Sequence, residues 1–307
     1  MVRLVIDTDP GVDDSHAILM ALAHPDVRVE AITSVAGNVG VNFTTANACH
    51  ILDAAGKDVP VFAGASAALI SRNPSADYVH GMDGLGDSAL PHSTRRVEQE
   101  HAVNALVRLA NENPGELTLV AIGPLTNVAL AVCLDPDLPA KYKKLVIMGG
   151  AIRAQGNTTP LAEFNTYTDP EAAEIVFKAW PNSVLVSWET TLAHMFSAEQ
   201  VATLWAMQTP RAEFFRRVTG NTLKFIEKHL GQRALFAADF LAVAAAIEPS
   251  IVLKSENKYL EVELHGQHSR GQTVVDWNNS RSKTPNVELV LEMDSNRLWE
   301  LFQMALN

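Results

Sequence analysis

Cysteine is nearly absent from the 307-residue sequence, in which only Cys49 and Cys133 occur. Both have apolar or small neighbours and no CxxC spacing, so we expect two reduced thiols in the core of a cytosolic protein. Long hydrophobic runs are absent too, and the first carboxylate, Asp7, comes too early for a signal peptide. The sequence therefore predicts a cytoplasmic protein without a membrane partner.

Positive charge is also scarce, because 24 Lys and Arg residues stand against 35 Asp and Glu residues and give a net charge of −11. Phosphate binding needs clustered positive charge and no long basic run occurs, so nucleic acid is not expected as a partner. Hydrophobic residues make up 47% of the chain, which is enough for a sizeable core. No linker rich in Pro, Ser or Gly interrupts the sequence, which predicts one continuous domain over residues 1–307.

Short apolar segments alternate with helical patterns in the first half of the chain, which predicts a mostly parallel central sheet with helices on both faces. The strands are expected at residues 4–6, 29–34, 59–62, 117–122, 144–148 and 183–187. The helices are expected at residues 15–23, 43–55, 126–134 and 170–180.

The second half predicts a helical C-terminal portion, and the fold class as a whole is α/β. Helices are expected at residues 197–207, 211–229, 235–247 and 296–306. A hairpin of residues 259–264 and 273–277 and a last strand at 287–293 complete the pattern.

Polar and glycine-rich segments follow four of the predicted strands. Ligands of open parallel sheets bind beyond the carboxyl ends of the strands, so we expect these four segments to line one crevice. They are residues 7–9, Asn38, residues 123–124 and residues 149–150.

Four carboxylates lie within eight residues in the segment Asp7-Thr8-Asp9-Pro10-Gly11-Val12-Asp13-Asp14. One or two acidic residues could cap the following helix in solvent, but four repel one another. A hard divalent cation offsets such repulsion, and oxygen ligands suit calcium or magnesium. An EF-hand does not fit, because Val12 and Ile18 stand where its loop needs Gly and Glu.

Asp239 is the only ionisable residue in the apolar segment 234–245. An unpaired buried carboxylate is unfavourable, so Asp239 either completes the metal site or caps its helix at a wet edge. A polar loop at residues 157–165 offers amides and a carboxylate that could bind vicinal hydroxyls, although an ordinary loop has the same composition.

Seven segments together resemble the nucleoside hydrolase family, with members described as inosine-uridine preferring. They occur in the family's order at residues 7–14, 36–38, 59–64, 80–86, 123–127, 148–150 and 162–165. The resemblance implies a nucleoside hydrolase-like fold and calcium-dependent hydrolysis of a ribonucleoside to ribose and free base. It also implies a homodimer or homotetramer that acts in nucleoside catabolism or salvage.

The same resemblance assigns a role to each matching residue. The Ca2+ ligands would be the carboxylates of Asp9, Asp14 and Asp239 and the backbone carbonyl of Ile122. The substrate would contact Asp13, Asn38, Met148, Asn157, Glu163, Asn165 and Asp239. Asp9 would also act as the general base for a calcium-bound water that attacks the anomeric carbon, which is chemically reasonable because the metal lowers the pKa of that water.

The half of the site that would hold the base departs from the family. Ala238 stands where many members have a histidine and some have a tryptophan. Ile226 and Leu230 stand where pyrimidine-preferring relatives have polar or aromatic contacts. The group that protonates the leaving base and the preferred base are therefore left open.

Three residues could serve the base instead. His80 lies in the matching glycine-rich loop and is our candidate for the catalytic donor, although it could equally anchor that loop. His229 ends a long helix, where the dipole alone favours a cation, and Trp188 is typical of a core tryptophan.

Two other functions fit parts of the sequence. The altered base half would also suit a ribose- or nucleoside-binding protein with little turnover. A phosphatase of the haloacid dehalogenase type would use Asp7 as nucleophile, but Pro10-Gly11 stands where that class has Gly-Thr. A dinucleotide-binding enzyme is disfavoured, since no GxGxxG follows the first strand.

Overall fold

The computed structural model describes residues 1–70, 74–231 and 234–307, and the side chain of Leu230 lies outside the described part. Within these residues the strands are β1 Val2–Thr8, β2 Val27–Ser34, β3 Val61–Ala63, β4 Leu117–Ala121, β5 Lys144–Met148, β6 Ser183–Val186, β7 Phe196–Ser197, β8 Ala234–Leu235, β9 Val252–Lys258, β10 Leu260–Val262, β11 Thr273–Val275 and β12 Val287–Met293.

Thirteen α-helices and one 3-10 turn, Pro249–Ile251, connect these strands in the described part of the chain. The helices are α1 Val12–Ala23, α2 Val41–Ala55, α3 Asp77–His80, α4 Ala102–Glu112, α5 Thr126–Leu134, α6 Leu138–Lys141, α7 Phe164–Thr168, α8 Pro170–Ala179, α9 Trp188–Ala193, α10 Ala198–Ala206, α11 Pro210–Leu230, α12 Ala238–Ile247 and α13 Ser295–Leu306.

Among the described residues, eight strands form the main sheet in the order β3-β2-β1-β4-β5-β6-β12-β9. Neighbouring strands are parallel except at the edge, where β9 runs antiparallel to β12. The order reverses direction between β1 and β4, and such a switch point opens a crevice at the carboxyl ends of the two strands. The acidic segment that follows β1 is therefore placed at the mouth of this crevice.

Helices cover both faces of the sheet, so its central strands are buried on both sides. In β1, Leu4 and Ile6 pack into one core with α1, α12 and α13. Val5 points to the other face and packs with α4, α5 and α8. This double burial explains why β1 is a continuous apolar run rather than an alternating one.

The structure confirms the α/β class and the mostly parallel sheet with its helical C-terminal portion. Helix α5 and strands β5 and β12 have the expected bounds, and β10 and β11 form the expected antiparallel hairpin. No helix in the described ranges is both long and apolar enough to cross a membrane.

Some expectations were wrong. The helix expected from residue 235 begins at Ala238, because Leu235 pairs with Phe196 in a two-stranded ribbon. Helix α4 and strand β9 were not foreseen, and β9 is a solvent-exposed edge strand whose polar sequence hides its strand character. Cys49 is buried as expected, whereas Cys133 is exposed at the end of α5.

Candidate active site

A cavity of about 420 Å³ opens at the carboxyl edge of the sheet, beside the switch point between β1 and β4. The polar part of its lining, here called the polar side, consists of Asp9, Asp13, Asn38, Asn157, Glu163, Asn165 and Asp239. The largely apolar part, here called the apolar side, includes Tyr78, Trp188, Phe225, Ile226, Phe236 and Ala238. Such a division suits a ligand with one hydroxyl-rich part and one flat aromatic part.

Asp14 anchors the polar side from within the first turn of α1. Its Oδ1 accepts a hydrogen bond from the Thr8 hydroxyl at 2.5 Å, and its Oδ2 accepts from the Gly11 amide at 2.8 Å. The Asn38 side chain donates to the same Oδ2 at 3.2 Å. Burial raises the pKa of Asp14 to about 6 despite these bonds.

Asp9 is fully buried and has one unused oxygen. Its Oδ2 accepts the backbone N–H of Asn38 at 2.7 Å, while Oδ1 has no hydrogen-bond partner among the described residues. Burial and the neighbouring charge of Asp14 raise the pKa of Asp9 well above its ordinary value. A buried carboxylate oxygen without a partner is unfavourable, so this atom is suited to a ligand.

Two glycines make room for Asp9. A Cβ atom on Gly37 would overlap Asp9 Oδ2, and one on Gly123 would lie 2.7 Å from Asp9 Oδ1. Both glycines follow sheet strands, and their close approach gives a physical reason for the Gly37-Asn38 and Gly123-Pro124 segments.

Asp239 lies in the first turn of α12 and joins the acidic group from the other end of the chain. Oxygens of Asp13, Asp14 and Asp239 lie within 4.8 Å of one another, a spacing that could hold a metal ion. Burial, followed by the charges of Asp13, Asp14 and Asp9, raises the pKa of Asp239 well above its ordinary value. An oxygen-only set of this kind fits a hard divalent cation. Asp9 is not one of these three residues, but its charge helps to raise the pKa of Asp239, and its Oδ1 has no partner among the described residues.

The expected sugar-binding residues line the same cavity. Glu163 caps α7, with Oε1 accepting the Asn165 amide at 2.7 Å and Oε2 accepting the Gly150 amide at 2.8 Å. The Asn165 side chain donates to the carbonyl of Ile122 at 3.1 Å and to that of Met148 at 3.3 Å. These bonds use its amide nitrogen and leave its side-chain oxygen available.

Asn157 contributes from the loop that follows β5. Its side-chain oxygen accepts the Phe164 amide at 2.8 Å, and the residue is exposed, so its amide nitrogen can donate elsewhere. Asn38 donates its side-chain amide to the carbonyl of Asp9 at 3.1 Å. Every residue that the sequence assigned to metal or substrate therefore lies at or directly beneath this cavity.

His80 is almost fully buried at the cavity, and its protonation can be read from its contacts. The Val12 backbone N–H donates to His80 Nδ1 at 3.1 Å, so Nδ1 is an acceptor and the ring proton resides on Nε2. Burial lowers the pKa of His80 to about 4. At neutral pH the ring is therefore uncharged and can donate through Nε2–H.

The apolar side contains aromatic residues that sequence reasoning placed elsewhere or missed. Trp188 was expected in the core, yet it is half-buried, lines the cavity and packs on Phe236 at 5.2 Å between ring centroids. His229 also lines the cavity, and its Nδ1 donates to the Phe225 carbonyl at 2.8 Å. The position of Trp188 directly after β6 was an available signal, because it is a fifth strand end at the same edge.

Ala238 and Ile226 line the cavity, as the comparison with the family pattern implied. The side chain of Leu230, the third altered position, lies outside the described residues. Two of the three altered positions thus line the cavity and present only aliphatic side chains to it.

Comparison with known proteins gives this geometry a context. The sequence model of the family described as inosine-uridine preferring nucleoside hydrolase matches residues 4–300. The chain is 34% identical over 307 residues to the inosine-uridine preferring nucleoside hydrolase of Crithidia fasciculata, covering 99% of this chain and 97% of that protein. This chain belongs to the inosine-uridine preferring nucleoside hydrolase family.

Two further members of the family are also similar to this chain. The pyrimidine-specific ribonucleoside hydrolase RihB of Escherichia coli O157:H7 is 32% identical over 301 residues, with 98% of this chain and 96% of that protein covered. The solved structure of an inosine-guanosine nucleoside hydrolase matches at a TM-score of 0.92 and 32% identity, over 100% of this chain and 99% of that chain. The chain is therefore an N-ribosyl hydrolase of a metal-dependent family, and the haloacid dehalogenase alternative is set aside.

Proposed function

We propose that this nucleoside hydrolase is calcium-dependent and cleaves the N-glycosidic bond of a ribonucleoside to give ribose and free base. One observation carries the proposal, namely a group of buried or partly buried carboxylates beside a cavity that is also lined by aromatic side chains. The polar lining suits ribose hydroxyls, and the aromatic lining suits a planar base.

The proposed calcium ligands are the carboxylates of Asp9, Asp14 and Asp239 and the carbonyl of Ile122. When bound, calcium would supply the positive charge that offsets these buried carboxylates and would lower the pKa of the attacking water. The partnerless Asp9 Oδ1 and the raised pKa values of Asp9 and Asp239 support this set, because both features describe carboxylates without enough compensating charge.

Asp9 is the proposed general base. Its carboxylate would accept a proton from the water as that water attacks, while the Asn38 backbone amide holds Oδ2 in place. The water oxygen then bonds to the anomeric carbon, and the electron pair of the glycosidic bond passes to the base nitrogen. The base leaves with this electron pair and takes a proton from solvent, and Asp9 returns its proton to solvent.

The sugar is held by hydrogen bonds from the polar side of the cavity. The proposed contacts are Asp13, Asn38, Asn157, Glu163 and Asn165, with Met148 against the ring. The carboxylates among them lie where positive charge develops on the sugar as the glycosidic bond breaks. Negative charge that is fixed in advance stabilises that state more than the neutral substrate.

His80 is the proposed donor to the leaving base. Because its ring is neutral with the proton on Nε2, it would stabilise the base by a hydrogen bond rather than deliver a proton as an imidazolium. His80 should therefore accelerate the departure of the base less than a protonated general acid would, and Ala238 adds no donor.

A ribose-release assay across purine and pyrimidine nucleosides tests the proposed function. We expect turnover of at least one natural ribonucleoside in the presence of calcium. Saturable nucleoside binding without any ribose release would instead support the binding-protein alternative.

A further inference from the structure

Glu189 lies in the first turn of α9, directly after β6, and uses its carboxylate on a neighbouring loop. Its Oε2 accepts the backbone N–H of Ile152 at 2.9 Å, and its Oε1 accepts that of Arg153 at 2.7 Å. A third amide, that of Gln155, donates to Oε1 at 3.3 Å. Bonds from backbone amides to a carboxylate are stronger than neutral ones, so Glu189 fixes the path of this segment.

The segment that Glu189 holds, residues 151–157, forms part of the cavity wall. Gln155, Gly156 and Asn157 all line the cavity, and Asn157 is among the proposed sugar contacts. The backbone at Ala154 has a φ of 60°, in the left-handed region that a residue with a side chain rarely adopts. A strained conformation of this kind persists only where surrounding bonds impose it.

The residue before Glu189 in the sequence, Trp188, belongs to the apolar side of the cavity. Trp188 lines that side, packs on Phe236, and donates its backbone N–H to the Gly150 carbonyl at 3.0 Å. Two consecutive residues of α9 therefore contribute to the cavity, because Trp188 lines it and Glu189 holds residues 151–157.

We propose that Glu189 is a positioning residue that holds residues 151–157 in the conformation that binds the ribose part of the substrate. This inference rests on the proposed function of the cavity and adds a residue outside the expected set. A loop ordered before binding does not have to be ordered by the substrate, so Glu189 should act mainly on substrate affinity.

Kinetics of Glu189→Ala, Glu189→Gln and the control Glu263→Ala test the proposal. Glu263 is a matched control because its Oε1 also accepts two backbone amides, His265 at 2.7 Å and Gly266 at 3.0 Å, in a turn that does not line the cavity. We expect Glu189→Ala to raise KM by about tenfold with a smaller effect on kcat. Glu189→Gln should recover part of the loss, since its amide oxygen still accepts, and the control should leave KM within about twofold.

A comparison of two substrates tests whether Glu189 acts on the binding of the ribose part. Glu189→Ala should lose the same factor in kcat/KM on p-nitrophenyl riboside as on a natural nucleoside, because the two share only ribose. Unchanged KM in Glu189→Ala, or the same rise in Glu263→Ala, would overturn the proposal.

Amide hydrogen exchange separates this proposal from the proposed function. In Glu189→Gln the amides of Ile152, Arg153 and Gln155 should exchange faster than in the wild type, whether or not the protein turns over nucleosides. Unchanged exchange at these three amides would contradict the role of Glu189 even in an active enzyme. A wild type without ribosidase activity would contradict the proposed function alone.

Discussion

Asp239 is a buried carboxylate in an otherwise apolar helix, and its proposed role is to bind calcium with Asp9 and Asp14. We expect Asp239→Ala to abolish calcium binding in a calorimetric titration, because the ion would lose one of its three proposed carboxylate ligands. Asp239→Leu should behave in the same way.

The control for Asp239 is Asp294→Ala, at the N-cap of α13. The Asp294 side chain accepts the amides of Asn296 and Arg297 at 2.9 and 3.1 Å, so its loss should cost about 0.5–2 kcal/mol of stability and leave calcium binding unchanged. Wild-type calcium affinity in Asp239→Ala would contradict the assignment.

Because the side chain of Ala238 has no proton to donate, it supplies no acid to the departing base. This gives a second expectation at the scale of single residues. The wild type should hydrolyse p-nitrophenyl riboside, whose leaving group needs no proton, about 10²–10⁴-fold faster than inosine or uridine, as judged by kcat/KM. Ala238→His should reduce this difference in kcat/KM by accelerating the hydrolysis of the natural nucleosides.

The contribution of His80 is read from the same assay. His80→Ala should slow natural nucleosides more than p-nitrophenyl riboside, because only their bases need the Nε2–H donor. Equal wild-type rates on both substrate types would show that a full general acid is present and would refute this view of the pocket.

The ends of three helices meet at Glu248, which follows α12. Arg297 of α13 donates to both of its oxygens, at 2.7 and 2.9 Å, and His24 after α1 lies 3.1 Å away. Hydrogen bonds from Arg297 lower the pKa of Glu248 from 4.5 to about 2. The native state therefore favours the ionised carboxylate.

This pKa shift gives a pH-dependent expectation for the stability of the whole fold. The stabilisation by Glu248 is complete above its ordinary pKa of 4.5 and is lost as the pH falls towards 2. Glu248→Gln should reduce the free energy of unfolding by about 1 kcal/mol at pH 7, and the difference should shrink below pH 4.5. Urea unfolding at several pH values measures it.

The control for Glu248 is Glu116→Gln, which removes an exposed partner of Arg3 and should change stability by less than about 0.5 kcal/mol. A difference for Glu248→Gln that grows on acidification would contradict the sign of the effect.

Elements with a strong hydrophobic period were predictable from the sequence, and elements placed by tertiary contacts were not. Helix α5 and strands β5 and β12 have the expected bounds, because each is an apolar run with a clear end. Strand β9 is largely polar and exists because its backbone pairs with β12 at the edge of the sheet. A backbone pairing of that kind leaves no hydrophobic pattern to recognise.

At the scale of the whole molecule, the polar half of the site was predictable because its residues follow sheet strands or break an apolar pattern. Asp9 follows β1 and Asp239 interrupts α12, and the fold brings the two to one cavity. The aromatic half was not predictable in the same way. Phe225 and Phe236 look like core residues in sequence, and only the packing of α11 and of the segment before α12 exposes them to the cavity.

Ribose release by metal-free protein, before and after addition of calcium, tests the central claim most directly. The substrates should include purine and pyrimidine nucleosides together with p-nitrophenyl riboside, so that base preference does not hide activity. We expect no measurable release after chelation and full recovery on addition of calcium, with recovery absent in Asp239→Ala. Full activity without metal, or recovery with zinc but not with calcium, would contradict the account.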